Sequence, residues 1–536
     1  MIPDIRNFDE LAQRFRWNIP SRYNIGVDVT DKWARLEPQR PAIIEAQAGG
    51  AVRTITFGGL SESSNRLANA LRARGVSRGD RVGILLPQCH QVTVAHAAVY
   101  KLGAIAVPLA LLFGDDALAY RLNDSGARAL IGTGSGARKA QALRHQAPAL
   151  ETIVSIDGGD GGILDFDKLI ADASPEFTAV DTTPDDPAMM IYTSGTTGNP
   201  KGALHGHRVL LGHLPGIQVP HEFFPQPGDL MWTPADWAWA GGLLNAMLPS
   251  LHFGVPVVAR AAEKFDPDAA LDLMARLRVR NAFFPPTALR MLRTVENPRA
   301  KYKLTLRTLG SAGEALGVEP YEWAKRELGL PINEYYGQTE CNLVLGSCAA
   351  LGVSKAGFIG KAMPGHTVAI LRADGTVCAP DELGQIAVRR PDPVMFLEYW
   401  NRPEATREKF VGDWMTTGDQ GVMDDEGYVR FVGRDDDVIT SSGYRIGPGE
   451  IEDCLLRHPA IANAAVVGKK DSLRTEIVKA FVVLRPGFSA SDALVADIQS
   501  FVREKLAAYE YPREIAFVEA LPLTTSGKVI RRLLRA

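Results

Sequence analysis

The chain has 536 residues, a formal charge of −3, 46% hydrophobic and 23% charged residues. That is too long for one hydrophobic core, and the near-neutral balance excludes nucleic acid or an anionic membrane held by bulk electrostatics. The five cysteines (Cys89, Cys341, Cys348, Cys378, Cys454) are scattered without a CxxC pair, which argues against a zinc site or disulfide framework and for a reducing compartment.

The opening residues, MIPDIRNFDE, carry acids where an export signal needs a basic start and an apolar core, so a cytoplasmic location is expected. Between roughly residues 50 and 390, short β-rich runs (RVGILLP, IAVPLAL, ALIGTG, AMMIYTSG, VPVVA) alternate with helical patterns such as LSESSNRLANALRARG and PDAALDLMARLRV. This alternation predicts an α/β fold of parallel sheets covered by helices on both faces. The most apolar stretch, Val92–Phe113, is long enough to span a bilayer, but His96, Lys101, Gly103 and Pro108 interrupt it. It is read as a buried helix followed by a buried strand, with no membrane span.

From about residue 375 the texture changes to short alternating strands with turn residues, and a β-barrel-like part is expected over about 345–433. The turn-rich DDDVITSSGYRIGPGEIE then introduces about 100 residues patterned helix, strand, strand, helix and basic tail, enough for a small α+β domain. The expected division is residues 1–433, a linker at 434–437, and residues 438–536.

The stretch MMIYTSGTTGNPKGALHGH packs Thr193, Ser194, Gly195, Thr196, Thr197, Gly198 and Lys201 directly after an apolar strand. Converging backbone N–H groups, hydroxyls and one lysine suit a polyphosphate. It is not a Walker A loop, because Gly-x-x-x-x-Gly-Lys-Ser/Thr does not occur. Downstream, in order, stand SAGEAL (Ser311–Leu316), EYYGQTE (Glu334–Glu340), TGD (Thr417–Asp419), GRDDDVITSSGYRIGPGEIE (Gly433–Glu452) and PLTTSGKVIRR (Pro522–Arg532).

With these motifs the chain resembles the adenylate-forming superfamily of acyl-CoA synthetases, peptide-synthetase adenylation domains and firefly luciferase, and within it the medium-chain acyl-CoA synthetases. The resemblance runs from roughly residue 30 to the end. It implies a large N-terminal AMP-binding domain, a small mobile C-terminal lid, and ATP, Mg²⁺ and coenzyme A as reactants and cofactors. The implied reaction joins a carboxylate to the α-phosphate of ATP, releases pyrophosphate, and passes the acyl group to CoA.

The resemblance also implies roles for residues. The glycine-rich loop with Lys201 holds the β- and γ-phosphates, and Ala312, Gly313 and Glu314 border the adenine. Tyr336, Gly337, Gln338 and Thr339 meet the adenylate, Glu340 binds Mg²⁺, and Asp419 and Arg434 meet the ribose. Lys528 brings positive charge to the carboxylate and α-phosphate. Asp436 is the hinge residue; rotation about it brings Ser442, Gly443 and Tyr444 to the thiol path, while Arg445 supports the phosphates. Lysine acetylation at Lys528 would remove the charge that adenylation needs, making an acetyltransferase and deacetylase expected partners.

For the acid, TPADWAWAGG offers Trp237 and Trp239 as pocket lining, with an apolar core role equally open. Acetate-specific relatives carry a tryptophan where Gly337 stands, so an open channel and an acid larger than propionate are expected: medium-chain, branched or aromatic. Asp236 leaves amino-acid activation open, and loading of a separate carrier by an aryl- or amino-acid adenylating enzyme is the alternative. With no carrier module after Lys528, free CoA is the expected acceptor. A luciferase-like oxidase and a non-enzymatic nucleotide binder are the remote readings; Glu340 and Lys528, both present, speak against the second. A monomer or homodimer is expected.

Overall fold

A computed structural model describes residues 2–193, 199–262, 264–434, 436–441, 444–471, 474–506, 510–524 and 528–535. Two large sheets carry the first part of the chain. The eight-stranded sheet runs, edge to edge, Glu398–Tyr399, Lys201–Gly206, Pro187–Thr193, Ile105–Pro108, Arg81–Leu85, Ala129–Gly132, Thr152–Ser155 and Leu164–Asp165. Its central strands are parallel and almost wholly buried, as RVGIL and IAVP require when both faces are covered. The nine-stranded sheet reaches from Val52–Thr56 at one edge to Ile332–Gln338, Cys341–Gly346 and Lys361–Ala362 at the other.

The apolar stretch that could have been a membrane span forms the helix His90–Lys101, buried on every side from Val92 onward, and then the strand Ile105–Pro108. No helix among the described residues is long and apolar enough to cross a membrane. The neighbouring helix Phe57–Arg72 starts at Thr56, whose side chain accepts from the Gly59 N–H at 3.2 Å, and it turns Leu60, Leu67 and Leu71 into the same core.

Residues through Ala362 still pair within the nine-stranded sheet, and the antiparallel part begins at Val368. It comprises Val368–Leu371, Gly384–Arg389, Phe410–Val411, Trp414–Met423 and Val429–Arg434. The barrel-like expectation therefore resolves into an open five-stranded sheet, with no closing strand pair among the described residues. A fourth sheet contains the hairpin Ile439–Ser441/Tyr444–Ile446, the long pair Ile461–Asp471/Thr475–Leu484 and the parallel strand Glu514–Phe517. Its helices are Pro448–Leu456 and Asp492–Lys505. This unit docks through Asp453, which accepts from the Glu319 N–H at 3.1 Å. Gly317, at φ 82°, makes room: a β-carbon there would lie 2.5 Å from the Asp453 carboxylate.

Lys101 is the exception in the apolar interior. Its ammonium is fully buried and donates to Asp31 at 2.6 Å, Asn65 at 2.7 Å and Ser64 at 2.8 Å. Burial lowers its pKa and the Asp31 carboxylate opposes that. Removing one partner of a buried ion pair leaves an uncompensated charge and costs about 3–5 kcal/mol. Asp31→Ala is therefore expected to lower the urea midpoint strongly, and Lys101→Met much less; equal midpoints for Asp31→Ala and wild type would refute this.

Candidate functional site

The two arms of the glycine-rich loop are the strands Pro187–Thr193 and Lys201–Gly206, paired antiparallel so that Thr193 faces Lys201. The Thr193 hydroxyl donates to the Lys201 carbonyl at 3.4 Å. Ser194, Gly195, Thr196, Thr197 and Gly198 lie outside the described residues. Below the arms, Tyr120 donates to the Pro200 carbonyl at 3.0 Å and Tyr192 to Asp124 at 2.8 Å, which anchors both ends of the loop.

The edge strand Glu398–Tyr399 pairs with Leu204 and Ala203 and brings Tyr399 into the same place. Its hydroxyl donates to the Glu340 carboxylate, and the Lys201 ammonium sits 5.1 Å from its ring centre. Nothing in the sequence pattern marked Tyr399, because the contact joins residues far apart in the chain. Glu340 is buried, and no cluster of three His, Cys, Asp or Glu side chains that could cage a metal exists among the described residues. A single carboxylate beside a phosphate loop fits Mg²⁺, which keeps waters and takes its other oxygens from phosphates.

Asp419 is held from two sides. The Tyr336 hydroxyl and the Gln338 amide each donate to its Oδ2 at 2.6 Å, and Gln338 also donates to the Thr417 carbonyl at 2.8 Å. Cross-strand pairing sets Asp419 opposite Arg434, whose Nε is 3.4 Å from Asp419 Oδ1. Burial raises the Asp419 pKa, with Arg434, Tyr336 and Gln338 acting against it. Asp436 lies 3.6 Å from the same Arg434 nitrogen. Ser442 and Gly443 lie outside the described residues, as do the side chains of Tyr444 and Arg445.

The strand Thr308–Ser311 delivers buried Ala312, then Gly313 at φ 102° and Glu314, which Arg290 pairs at 3.2 Å and Thr287 bonds at 3.3 Å. Above it sits Lys528: its Cε is 4.0 Å from where a Gly313 β-carbon would stand. The turn bearing Lys528 is closed by Thr524 N–H donating to the Lys528 carbonyl at 2.7 Å and Lys528 N–H donating to Thr524 Oγ1 at 3.0 Å. Arg531, from the same basic tail, is fixed by Glu452 at 2.7 Å and Asp437 at 3.6 Å. The tail is thus pinned to the helix Pro448–Leu456 and to Asp437, and Lys528 lies against Gly313.

On the expected acyl side, Trp237 is fully enclosed in the core, whereas half-buried Trp239 meets Phe113 edge-on at 5.8 Å. Asp236 accepts from the Ala238 N–H at 3.0 Å, and burial pushes its pKa up to about 6. Gly337 is packed against Asn342. A β-carbon there would lie 2.5 Å from Asn342 Oδ1 and 2.6 Å from Asn342 Cα. The chain doubles back here into Cys341–Gly346, so Asn342 takes the space that a side chain at 337 would occupy.

Glu334 was an unremarked letter of the motif. It is buried, accepts from the Leu316 N–H at 3.1 Å, and burial pushes its pKa up to about 7. A pKa raised in the folded state adds stability that is complete below the unfolded value and is lost as pH rises through about 7. Glu334→Gln keeps the acceptor without the charge. It should match wild type near about pH 4 and exceed it by up to about 3 kcal/mol near about pH 8 in urea unfolding. Parallel pH profiles for the two proteins would contradict this.

The AMP-binding enzyme family matches residues 30–400, and the AMP-binding enzyme C-terminal domain matches residues 450–528. The human mitochondrial acyl-coenzyme A synthetase ACSM4 is 34% identical over 540 residues, 98% of this chain and 92% of the relative. Among solved structures, the anthranilate CoA ligase AuaEII in complex with anthranoyl-AMP superimposes with a TM-score of 0.90 at 29% identity, covering 96% of this chain and 97% of that one. An acyl-CoA synthetase from Brucella canis does so with 0.77 at 33% identity, covering 99% and 98%. A family match over both parts of the chain, with a full-length relative of this identity, establishes that the protein belongs to the AMP-binding enzyme family.

Proposed function

We propose that the protein is an ATP-dependent acid–CoA ligase that makes an acyl-adenylate, releases pyrophosphate, and then forms the CoA thioester. The observation that carries the reading is Lys528 seated over Gly313 after the strand Thr308–Ser311, while Asp419, Arg434 and Glu340 stand at the end of the neighbouring strand Ile332–Gln338. A carboxylate and a triphosphate repel each other, so the site has to hold both in line and supply positive charge. Lys201 serves the distal phosphates and Lys528 the reacting carboxylate and α-phosphate. Asp419, kept in orientation by Tyr336 and Gln338, accepts from the ribose hydroxyls beside Arg434. Thr339 contacts the adenylate phosphate, and Glu340 would hold Mg²⁺, which when bound neutralises phosphate charge.

The thiol half-reaction needs a different lid position. Residues 434–437 serve as the hinge and 438–536 as the lid, turning about Asp436 to present Ser442–Tyr444. The seat of Lys528 over Gly313 corresponds to the adenylation position. The acid is larger than propionate, with medium-chain, branched and aromatic carboxylates as candidates; the kinship with ACSM4 and AuaEII supports this. On this reading the enzyme is a cytoplasmic monomer or homodimer, and exposed Lys528 is open to an acetyltransferase and deacetylase.

Pyrophosphate release across acetate to octanoate, isobutyrate, benzoate and several amino acids, with and without CoA, tests the reading. Turnover that needs CoA and rises beyond propionate is expected; activity on amino acids alone, indifferent to CoA, would replace it with a carrier-loading adenylation enzyme. Lys528→Ala, and acetylation of Lys528, should each slow adenylation by about 10²–10³-fold yet leave thioester formation from supplied acyl-adenylate close to wild type. Lys528→Arg should rescue little, because a planar fork does not replace a compact point charge. Equal loss of both half-reactions would disprove the role.

A further inference from the structure

Beside Gly337 the structure holds a buried polar array that neither the family motifs nor the sequence reading assigns. It joins His213 on the helix Val209–Gln218, Asn245 on the helical turn Leu243–Met247, and Asn342 on the strand Cys341–Gly346. Their exposures are 1%, 2% and 7%. Asn245 follows directly on the segment that carries Trp237 and Trp239, and Asn342 directly on the segment that carries Thr339 and Glu340. The array therefore lies where the expected acyl wall meets the adenylate motif.

Hydrogen-bond logic fixes every orientation in it. His213 Nδ1 is 2.7 Å from the Val209 carbonyl, which can only accept, so Nδ1 carries the proton. Burial lowers the His213 pKa to about 4, so the ring is neutral at neutral pH and Nε2 is a bare acceptor. The Asn342 amide nitrogen, 3.0 Å away, must donate to it, and its second hydrogen goes to Asn245 Oδ1 at 2.7 Å. Two groups are then left over: Asn342 Oδ1, an acceptor, and Asn245 Nδ2, a donor. Among the described residues neither has a protein partner, and neither is sealed by packing, unlike the enclosed unpartnered atoms elsewhere in the core. Asn342 Oδ1 occupies the space that a side chain at 337 would take. An amide oxygen and an amide nitrogen on two largely buried, mutually bonded side chains, both unused, are costly unless a ligand or solvent completes them.

Resting on the ligase reading above, we propose that this amide pair is a specificity element of the acyl pocket, and that the preferred acid carries a hydroxyl group. A hydroxyl can donate to Asn342 Oδ1 and accept from Asn245 Nδ2 at the same time. A second carboxylate would meet Asn342 Oδ1 oxygen to oxygen, an ammonium would leave Asn245 Nδ2 without an acceptor, and an unsubstituted chain would leave both groups unpaired. His213 acts through Asn342 as a positioning residue, because its bare Nε2 decides which way the amide faces.

The test compares matched acids in pyrophosphate release: benzoate against 2-, 3- and 4-hydroxybenzoate, and hexanoate against its hydroxyhexanoates. For wild type, at least one hydroxy acid should exceed its parent in kcat/KM by about 10- to 100-fold. Asn342→Leu and Asn245→Leu, similar in volume, should each collapse that ratio towards one without raising the KM for ATP. Wild type that uses each parent as well as every hydroxy analogue, or leucine variants that keep the preference, would overturn the proposal and leave the ligase reading intact. Absence of pyrophosphate release with every acid would instead overturn the ligase reading, and this inference with it. The wild-type comparison needs no variant to fold.

Discussion

The buried carboxylate of Asp419 is the interaction on which the arrangement depends. Asp419 belongs to the antiparallel sheet, yet its two strong donors, Tyr336 and Gln338, belong to the nine-stranded sheet. Two residues on from Gln338, Glu340 is bonded by Tyr399 of the eight-stranded sheet, and Lys201 of that sheet lies against the same ring. Three sheets with separate hydrogen-bond ladders are thus stitched together along one strand end. A charged group this deeply buried costs stability unless it is paired, so the stitching is obligatory. The pairing that satisfies Asp419 also aims it, with Arg434 beside it.

Charge sets the second level of organisation. A reaction between two anions needs cations that approach without being neutralised by the protein's own acids. The tail resolves this by division: Arg531 and Arg535 are spent on Glu452 of the helix Pro448–Leu456 and on Asp437, while exposed Lys528 lies against Gly313. Asp453 meets Gly317 and Glu319, Glu450 pairs with Arg430 at 3.3 Å, and Lys528 lies against Gly313.

Much of the chain was legible because its signals are local. The strand RVGIL, the helix His90–Lys101 and the helix Asp492–Lys505 follow from periodicity and from the cost of burying a backbone without hydrogen bonds. The nucleotide motifs were legible for a related reason. The family motifs place particular polar residues at close spacing along the chain, as from Thr193 to Lys201 and from Tyr336 to Glu340. The barrel-like region was misjudged because alternation reports that strands exist and not whether the last one closes on the first.

The acyl side shows where that legibility stops. Composition and motif order determined the α/β class, the smaller C-terminal domain and the adenylate-forming chemistry, because those depend on residue types at fixed intervals. The sequence shows only that Gly337 lacks a side chain; that Asn342 packs against it is visible only in the fold. Tyr399 on Glu340, Lys528 over Gly313, and the orientation that His213 imposes on Asn342 and Asn245 join residues from 59 to 215 positions apart. Only the tertiary structure decides such contacts, since the free energy of a buried hydrogen bond depends on which donor meets which acceptor once water has been excluded.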